Sequence, residues 1–459
     1  MFQGIFAMAW RGLALVVLLL CGTQAFAVPS FARQTGLECV NCHLSWPELT
    51  TVGRAFKLGG YTLMKPVIEG ERPLVSFSKE GNPPLIPIAG FLQTSVSRTA
   101  NTDSPGTDAS SFPDQKSLEL QQASLFLAGR LAEHVGAFVQ WSYDGQADRG
   151  GIDNVDLRYA NSYKTDGLDV AYGVSLNNNP TVSDIYNSTP VWGFPFAGSS
   201  VAPTPAASTL LQEGLGQQVV GLSAYTMWNK TLYAEVGAYQ TADGLANIFR
   251  EGVDRSQAAV LQDAAPYWRL ALQHEWQEGT QSAMLGLFGL DAKKYPDPLV
   301  PSGLTDRFND VGIDAQYQYI TDTHRLSAQV AYIREAQSLD GTFAAGGSDA
   351  VSNQLDSLSA KLTYYYQTRY GISLGYQRIS GDTNMAMYAS GDALSGSANG
   401  SPDSEAYILE LNWLPWRDRR FTLQYTNYEK FNGAKTNYDG FGRNASDNNT
   451  LYLLAWFMF

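Results

Sequence analysis

Apolar residues alternate with small or polar ones in the stretch Tyr370-Gly371-Ile372-Ser373-Leu374-Gly375-Tyr376-Gln377, where the apolar residues occupy the even positions. The stretches 326–332 and 421–426 follow the same pattern. A repeat of two residues is typical of a β-strand with one apolar and one polar face. Outer-membrane strands alternate in this way, with lipid outside the barrel and water or protein inside. Strands of a soluble sandwich alternate too, so the connections must distinguish the two folds.

The connections between such stretches are of two kinds. Short turns are predicted at 132–134, 165–167, 229–230, 278–280, 321–323, 367–368 and 416–418, and long polar loops near 99–115, 242–264, 338–352, 381–403 and 432–447. Short turns at one end and long loops at the other are typical of outer-membrane barrels. Counting strands from 88–97 to 450–459 predicts an all-β fold over 87–459, an antiparallel transmembrane β-barrel of about sixteen strands. An even count places both ends of the barrel on the periplasmic side.

The composition agrees with this fold and excludes others. Of the 459 residues, 44% are hydrophobic and only 16% are charged, below the usual quarter of soluble domains. Aromatic residues make up 12% of the chain, too many for a disordered protein. The net charge of -13 makes nucleic acid an unsuitable partner. After the N-terminal segment, no run of 18 apolar residues predicts a membrane-spanning helix.

Residues 1–27 are predicted to be a secretory signal peptide. Arg11 precedes the apolar run 13–20, and Ala25-Phe26-Ala27 has the small-residue spacing of a cleavage site. The apolar run is too short for a membrane anchor. We therefore expect an exported protein that begins after Ala27.

Two cysteines follow the predicted cleavage site, Cys39 and Cys42, and His43 comes directly after them. C-x-x-C-H is the attachment pattern of c-type haem. Two thiols one short turn apart can form thioethers with the two vinyl groups, and the next residue presents an imidazole to the iron. A redox pair, a structural disulfide and half of a zinc site are the alternatives. A redox pair is typical of a βαβ context, which is absent here. A zinc site needs further ligands nearby, whereas the next histidine is His134.

The haem motif lies in a short segment, residues 28–86, that precedes the barrel. Apolar residues between Leu49 and Leu58 predict one short helix, which the Gly59-Gly60 pair ends. A segment of this size is marginal as an independent domain, particularly with a large cofactor to enclose. A barrel of sixteen strands has a lumen that such a segment can fill. We therefore expect the segment to plug the barrel, with the haem inside it or at its periplasmic mouth.

The residues around this motif resemble a known family. The lead Phe31-Ala32-Arg33-Gln34-Thr35-Gly36 and the following Pro47-Glu48-Leu49-Thr50 are similar to those of the fused monohaem cytochrome–porins of the bacterial outer membrane. Asn178-Asn179-Pro180-Thr181 and Trp192-Gly193-Phe194-Pro195, on the long loop after the fifth strand, resemble that family too. The resemblance implies one covalently bound haem c and outer-membrane electron transfer. Family members are associated with the oxidation of extracellular Fe(II).

Several side chains are candidates for contact with the haem. Cys39 and Cys42 are the predicted thioether sites and His43 is the proximal iron ligand. Met64 is a candidate distal ligand because a thioether raises the reduction potential; ordinary packing is the alternative. A tyrosine or a water could also reach the iron, as could one of three histidines near predicted periplasmic turns, for which a plain polar turn or interface role is the alternative: His134, His274 and His324. The candidates for propionate contacts are Arg33, Arg54 and Lys57, with salt bridges to lumen carboxylates as the alternative.

Two further features have both a functional and a plain interpretation. Acidic residues on or beside the predicted extracellular loops could gather hard cations or could simply be solvated: Asp103, Asp108, Asp114, Asp243 and Asp263. The segment 177–217 could fold inward over the haem or form a large exposed loop. The resemblance favours the inward arrangement.

The sequence thus predicts an electron conduit in the outer membrane. Extracellular Fe(II) would be the donor, and a periplasmic c-type cytochrome or copper protein the acceptor, so that the activity resembles that of an Fe(II):cytochrome c oxidoreductase. No nucleophile–base arrangement points to hydrolysis. A conduit for another donor or acceptor, and a diffusion porin with a haem plug, are the rival interpretations.

Overall fold

The computed structural model describes residues 29–63, 87–102, 118–252, 255–389, 394–416 and 418–459. Sixteen antiparallel strands close into one barrel, which confirms the predicted fold class and strand count. The strands are β1 (Ile88–Thr99), β2 (Glu119–Ala132), β3 (Val135–Asp144), β4 (Arg149–Thr165), β5 (Leu168–Asn177), β6 (Val219–Trp228), β7 (Leu232–Thr241), β8 (Ala265–Trp276), β9 (Gln281–Lys294), β10 (Asp306–Ile320), β11 (His324–Ser338), β12 (Ser352–Tyr366), β13 (Tyr370–Gly381), β14 (Ser404–Trp416), β15 (Arg419–Lys430) and β16 (Thr450–Met458).

Every strand pairs with its neighbours in sequence, and the pairing of β1 with β16 closes the ring. Every second connection, beginning with those from β2 to β3 and from β4 to β5, is a short turn at a predicted position. These turns have two or three residues, except that the turn between β8 and β9 has four. The connections at the opposite end are longer, apart from the four residues between β3 and β4, and they include the predicted long loops. By the usual arrangement of outer-membrane barrels, the short turns lie on the periplasmic side and the long loops lie outside the cell.

The two faces of the barrel wall differ in polarity. Side chains such as Ile372, Leu374 and Leu453 point outward and are 42%, 52% and 51% exposed. Ser373, between the first two, and Ser327 on β11 point into the lumen and are buried. An apolar outer face and a polar inner face are typical of a barrel that spans a lipid bilayer. Closure of the barrel also pairs the backbone groups between strands and leaves no open edge, as the bilayer requires. The chain is therefore an outer-membrane β-barrel.

The N-terminal segment lies inside the periplasmic end of the barrel. It has three short helices, α1 (Pro29–Thr35), α2 (Cys39–Cys42) and α3 (Thr51–Leu58). The last of these corresponds to the predicted helix and ends where Gly59 follows it. Arg325 and Arg420, near the periplasmic ends of β11 and β15, donate hydrogen bonds to backbone carbonyls of this segment.

Shorter elements occupy several connections. They are α4 (Asp340–Ala344), α5 (Met385–Tyr388), the 3-10 turns Pro190–Trp192, Gly244–Phe249, Arg255–Gln257, Gln277–Gly279 and Ala445–Asn448, and the π-turn Leu210–Gly214. Within the described part of the chain, no helix is long and apolar enough to cross a membrane. The predicted signal peptide 1–27, Met64 and the acidic residues Asp103, Asp108 and Asp114 lie outside the described residues.

The connection between β5 and β6, residues 178–218, folds into the lumen rather than over the rim. Asp184, near the start of this connection, is fully buried and lies 3.3 Å from the guanidinium of Arg269 on β8. Arg269 also pairs with Asp314 on β10 at 2.8 Å. The inward arrangement expected for this segment is therefore the one in the structure, and we call residues 178–218 the inner loop.

Candidate haem site

A cavity of about 520 Å³ lies where the N-terminal segment, the inner loop and the barrel wall meet. Cys39, Cys42 and His43 line one part of it. Aromatic side chains of the wall and the inner loop line much of the rest: Phe91, Phe126, Phe138, Trp192, Phe196 and Trp456. Its volume and apolar lining are those of a site for a large organic ligand.

The two cysteines belong to a single helical turn. The His43 amide donates to the Cys39 carbonyl at 2.8 Å and closes this turn, so that both thiols and the imidazole come together at the cavity. Cys39 and Cys42 are not joined in a disulfide. Burial, together with the neighbouring Cys39, raises the pKa of Cys42 to about 11. A dithiol redox centre needs an accessible thiolate of low pKa, and this environment opposes that.

The His43 ring is held in the form that binds a metal. Burial lowers its pKa to about 4, against the opposing effect of hydrogen bonds to the Pro47 and Glu48 backbone, so the imidazole is neutral at physiological pH. Its Nδ1 lies 3.1 Å from the Pro47 carbonyl oxygen. Because a carbonyl can only accept, Nδ1 carries the proton and Nε2 keeps its lone pair. A backbone carbonyl that fixes the tautomer in this way is typical of metal-ligating histidines.

A close helix contact fixes the position of the motif. The Thr50 amide donates to the Cys42 carbonyl at 2.9 Å, and the Thr50 hydroxyl caps α3 by accepting from the Gly53 amide. A Cβ atom on Gly53 would lie 2.2 Å from the Cys42 carbonyl oxygen. Only glycine allows α3 to approach the C-x-x-C-H motif this closely.

A buried ion pair fastens the His43 loop to the barrel wall. Glu48 is 2% exposed, and its carboxylate lies 2.5 Å from Lys361 Nζ on β12. The same carboxylate accepts hydrogen bonds from Gln318 and Ser327. The loop is thus held through several strands, which suits a ligand that must keep one orientation.

The three candidates for propionate contacts lie in different places. Lys57 lines the cavity, where its ammonium group donates to the Val182 and Asp184 carbonyls at 2.7 Å each. Arg54 instead faces the wall and donates to side chains of β9 and β10, with Glu275 3.9 Å away. Arg33 donates to the Ile88 carbonyl at the start of β1. Neither arginine lines the cavity.

Polar atoms that sequence analysis did not single out lie around the same cavity. The indole nitrogens of Trp192 and Trp456 and the side-chain oxygens of Asn154 and Asn187 are buried and have no hydrogen-bond partner in the structure. Buried polar atoms are almost always satisfied. Two indole donors at an apolar cavity therefore fit a ligand that carries acceptor oxygens, such as a haem propionate. The alternation of side chains along β16 assigns Trp456 to an inward position, so sequence analysis could have identified it.

The remaining predicted residues lie away from the cavity. His134, His274 and His324 are exposed near the periplasmic rim and do not line it. Asp243 pairs with Arg255, and Asp263 lies 4.0 Å from Lys293. Among the described residues, no group of three or more histidine, cysteine or acidic side chains is placed to hold a metal ion.

Comparison with known proteins relates the chain to porins by fold only. No protein-family model matches it, and no curated protein does. The structure is similar to that of Pseudomonas putida OprB, with 12% identity and a TM-score of 0.48 over 81% of this chain and 93% of that one. An anion-selective porin from Comamonas acidovorans has 14% identity and a TM-score of 0.43 over 81% and 98% of the two chains. Similarity at this level does not indicate what the chain binds.

Proposed function

We propose that this protein carries electrons across the outer membrane through one c-type haem held inside its barrel. The observation that carries the proposal is the C-x-x-C-H motif lining a large apolar cavity, with a partly buried, neutral His43 whose Nδ1 proton is held by the Pro47 carbonyl. Unpartnered indole donors at the same cavity support it. A redox pair would use neither the cavity nor the oriented imidazole, and a zinc ion would not need a cavity of this size.

In this proposal each residue has a defined role. Cys39 and Cys42 hold the cofactor through thioether bonds, His43 ligates the iron through Nε2, and Trp192 and Trp456 donate to propionate oxygens. The bound haem would supply a site that is reversibly reduced by one electron. The surrounding aromatic side chains exclude water, which fixes the local electrostatics and prevents side reactions.

A second cavity supports a short route to the extracellular side. Its volume is about 420 Å³, and it lies between the inner loop and the extracellular halves of β12 to β16. Gly198 lines both cavities, and the neighbouring Phe196 stacks on Trp456 with ring centroids 6.1 Å apart. One segment of the inner loop therefore separates the two spaces, so a donor in the outer cavity would be close to the haem.

We propose extracellular Fe(II) as the donor, because the haem segment resembles proteins associated with its oxidation. Oxidising iron outside the cell keeps insoluble ferric products out, since only an electron has to cross. A periplasmic c-type cytochrome or copper protein would accept the electron at the short-turn end, where the N-terminal segment lies. Another donor or acceptor would use the same conduit.

The test is anoxic stopped-flow spectroscopy of the purified ferric protein mixed with Fe(II). We expect fast appearance of ferrous haem bands in the wild type and in His134→Ala, an exposed histidine outside the cavity. His43→Ala should lose this reaction. If Fe(II) leaves the haem oxidised while dithionite reduces it, iron is not the donor. If no covalent haem is present, the conduit proposal is wrong.

A diffusion porin with a haem plug is the second candidate, because a sixteen-stranded barrel encloses a lumen wide enough for solutes. Here both the N-terminal segment and the inner loop occupy the lumen, which favours the conduit. Conductance of the protein in planar bilayers distinguishes the two. A conduit should pass little current, whereas a stable, open-pore conductance would favour the porin.

A further inference from the structure

We propose that the thioether of Met458, on the last strand of the barrel, is the distal ligand of the haem iron. This inference rests on the proposed haem function and adds the residue that completes the iron site. It assigns a coordinating role to the barrel wall, which the C-x-x-C-H motif alone does not suggest.

The position of Met458 is the first argument. It points into the lumen near the periplasmic end of β16, is 6% exposed, and lines the same cavity as Cys42 and His43. It also belongs to the cluster of buried side chains that contains Cys39. The thioether therefore shares a cavity with the C-x-x-C-H motif but belongs to a different part of the chain from His43. Ligands from two separate elements can approach an iron from opposite sides.

The rigidity of this position is the second argument. The Met458 amide donates to the Asp418 carbonyl at 2.9 Å, and Met458 pairs across the barrel seam with Phe91. The next residue, Phe459, exchanges two backbone hydrogen bonds with Gly90, at 2.7 and 2.9 Å. A ligand held on paired strands keeps its geometry better than a ligand on a loop.

The third argument is that the described residues lining the cavity offer no second suitable ligand. Axial ligands of haem iron are typically histidine, methionine, cysteine or tyrosine. Among the described residues that line the cavity, Met458 is the only methionine and His43 the only histidine. Tyr61 also lines it, but its hydroxyl donates to Asp156 at 2.6 Å. A thioether has no strong hydrogen bond to give up, so coordination costs it little.

Methionine ligation also suits the proposed reaction. A histidine–methionine pair gives haem a higher reduction potential than other common pairs, so that the ferric form can accept an electron from a weak reductant. Met64 is the competing methionine because it follows the haem motif in the sequence.

The experiment uses the purified holoprotein and compares the wild type with three leucine variants, Met458→Leu, Met64→Leu and Met227→Leu. Leucine conserves the volume of methionine. Met227 is a matched control, because it is 4% exposed in a different cluster, away from the cavity. A pyridine haemochrome spectrum first establishes that haem c is attached. The near-infrared charge-transfer band between a thioether and ferric iron then reports the distal ligand.

We expect this band in the wild type, Met64→Leu and Met227→Leu, and its loss in Met458→Leu, together with a lower reduction potential. Met458→His, a second variant, should replace the band with the spectrum of two imidazole ligands. A band that survives in Met458→Leu, disappears in Met64→Leu, or is absent from the wild type overturns the inference. Absence of the haemochrome would instead overturn the proposed function.

Discussion

The ion pair between Glu48 and Lys361 offers a direct test of how the N-terminal segment is held. Glu48→Gln removes the negative charge but keeps the shape of the side chain. It leaves the Lys361 ammonium, whose side chain is 10% exposed, without its partner at 2.5 Å. Removing one partner of a buried pair costs about 3–5 kcal/mol, because the other charge stays buried and uncompensated.

This cost should appear as local opening of the segment rather than as unfolding of the barrel, because the sheet hydrogen bonds are unchanged. About 3–5 kcal/mol corresponds to roughly a 150-fold to 5,000-fold shift in the opening equilibrium, at tenfold per 1.36 kcal/mol. Hydrogen exchange of the amides of α3, measured by mass spectrometry, reports that equilibrium. We expect exchange of these amides to accelerate by at least one hundredfold.

The control is Glu133→Gln, on an exposed turn where the side chain is 71% exposed. It should leave exchange in α3 unchanged. In the double variant Glu48→Gln with Lys361→Met neither member of the pair carries a charge, so exchange should return most of the way to the wild-type rate. An acceleration below tenfold in Glu48→Gln would show that the pair does not anchor the segment, and the reasoning would fail.

Three further changes test other parts of the site. Gly53→Ala places a Cβ 2.2 Å from the Cys42 carbonyl and should destabilise the segment by about 1–3 kcal/mol, seen as faster exchange in α3. Arg269→Met leaves the buried Asp184 uncompensated and should release the inner loop, which would raise conductance in planar bilayers. Burial lowers the pKa of Lys57 to about 7 from 10.5, so the unfolded chain binds more protons between these values. The free energy of unfolding should therefore rise by about 1.4 kcal/mol per pH unit in this window. In Lys57→Met, the denaturant midpoint should depend much less on pH.

Matched variants make these results interpretable. Gly198→Ala adds a Cβ that meets nothing within 4 Å and should not change exchange. Arg307→Met breaks an exposed pair with Asp291 and should leave conductance as it is. For the pH series, Lys164→Met removes a cation that is 76% exposed, and the denaturant midpoint should depend on pH as it does in the wild type. Equal effects in a variant and its control would contradict the corresponding prediction.

The barrel could be predicted from the sequence because its signal is local. A strand directs successive side chains to opposite faces. Ile372 and Leu374 therefore lie on the outer face, and Ser373 between them points into the lumen. Turn and loop lengths then fix the order of strands, because neighbours in an antiparallel barrel are neighbours in sequence. No contact between distant residues has to be known.

The lining of the cavity could not be predicted in the same way, because it depends on contacts between residues far apart in the chain. The motif itself is local, so Cys39, Cys42 and His43 could be identified directly. Arg54 and Lys57 are three residues apart on one helix, yet Arg54 reaches β10 and Lys57 reaches the inner loop. Only the docking of α3 decides which of them lines the cavity.

The inner loop connects the fold with the proposed function. A barrel with only a periplasmic plug would leave the haem far from any donor outside the cell, and a barrel with only an inner loop would have no redox centre. Asp184 ties the loop to Arg269 on the wall, and its backbone carbonyl accepts from Lys57 on α3, so one residue joins all three parts. The same arrangement that narrows the lumen places the segment with Phe196 and Gly198 where the cavity at the C-x-x-C-H motif meets the outer cavity. In the proposed conduit, a single packing arrangement would therefore both close the pore and shorten the electron path.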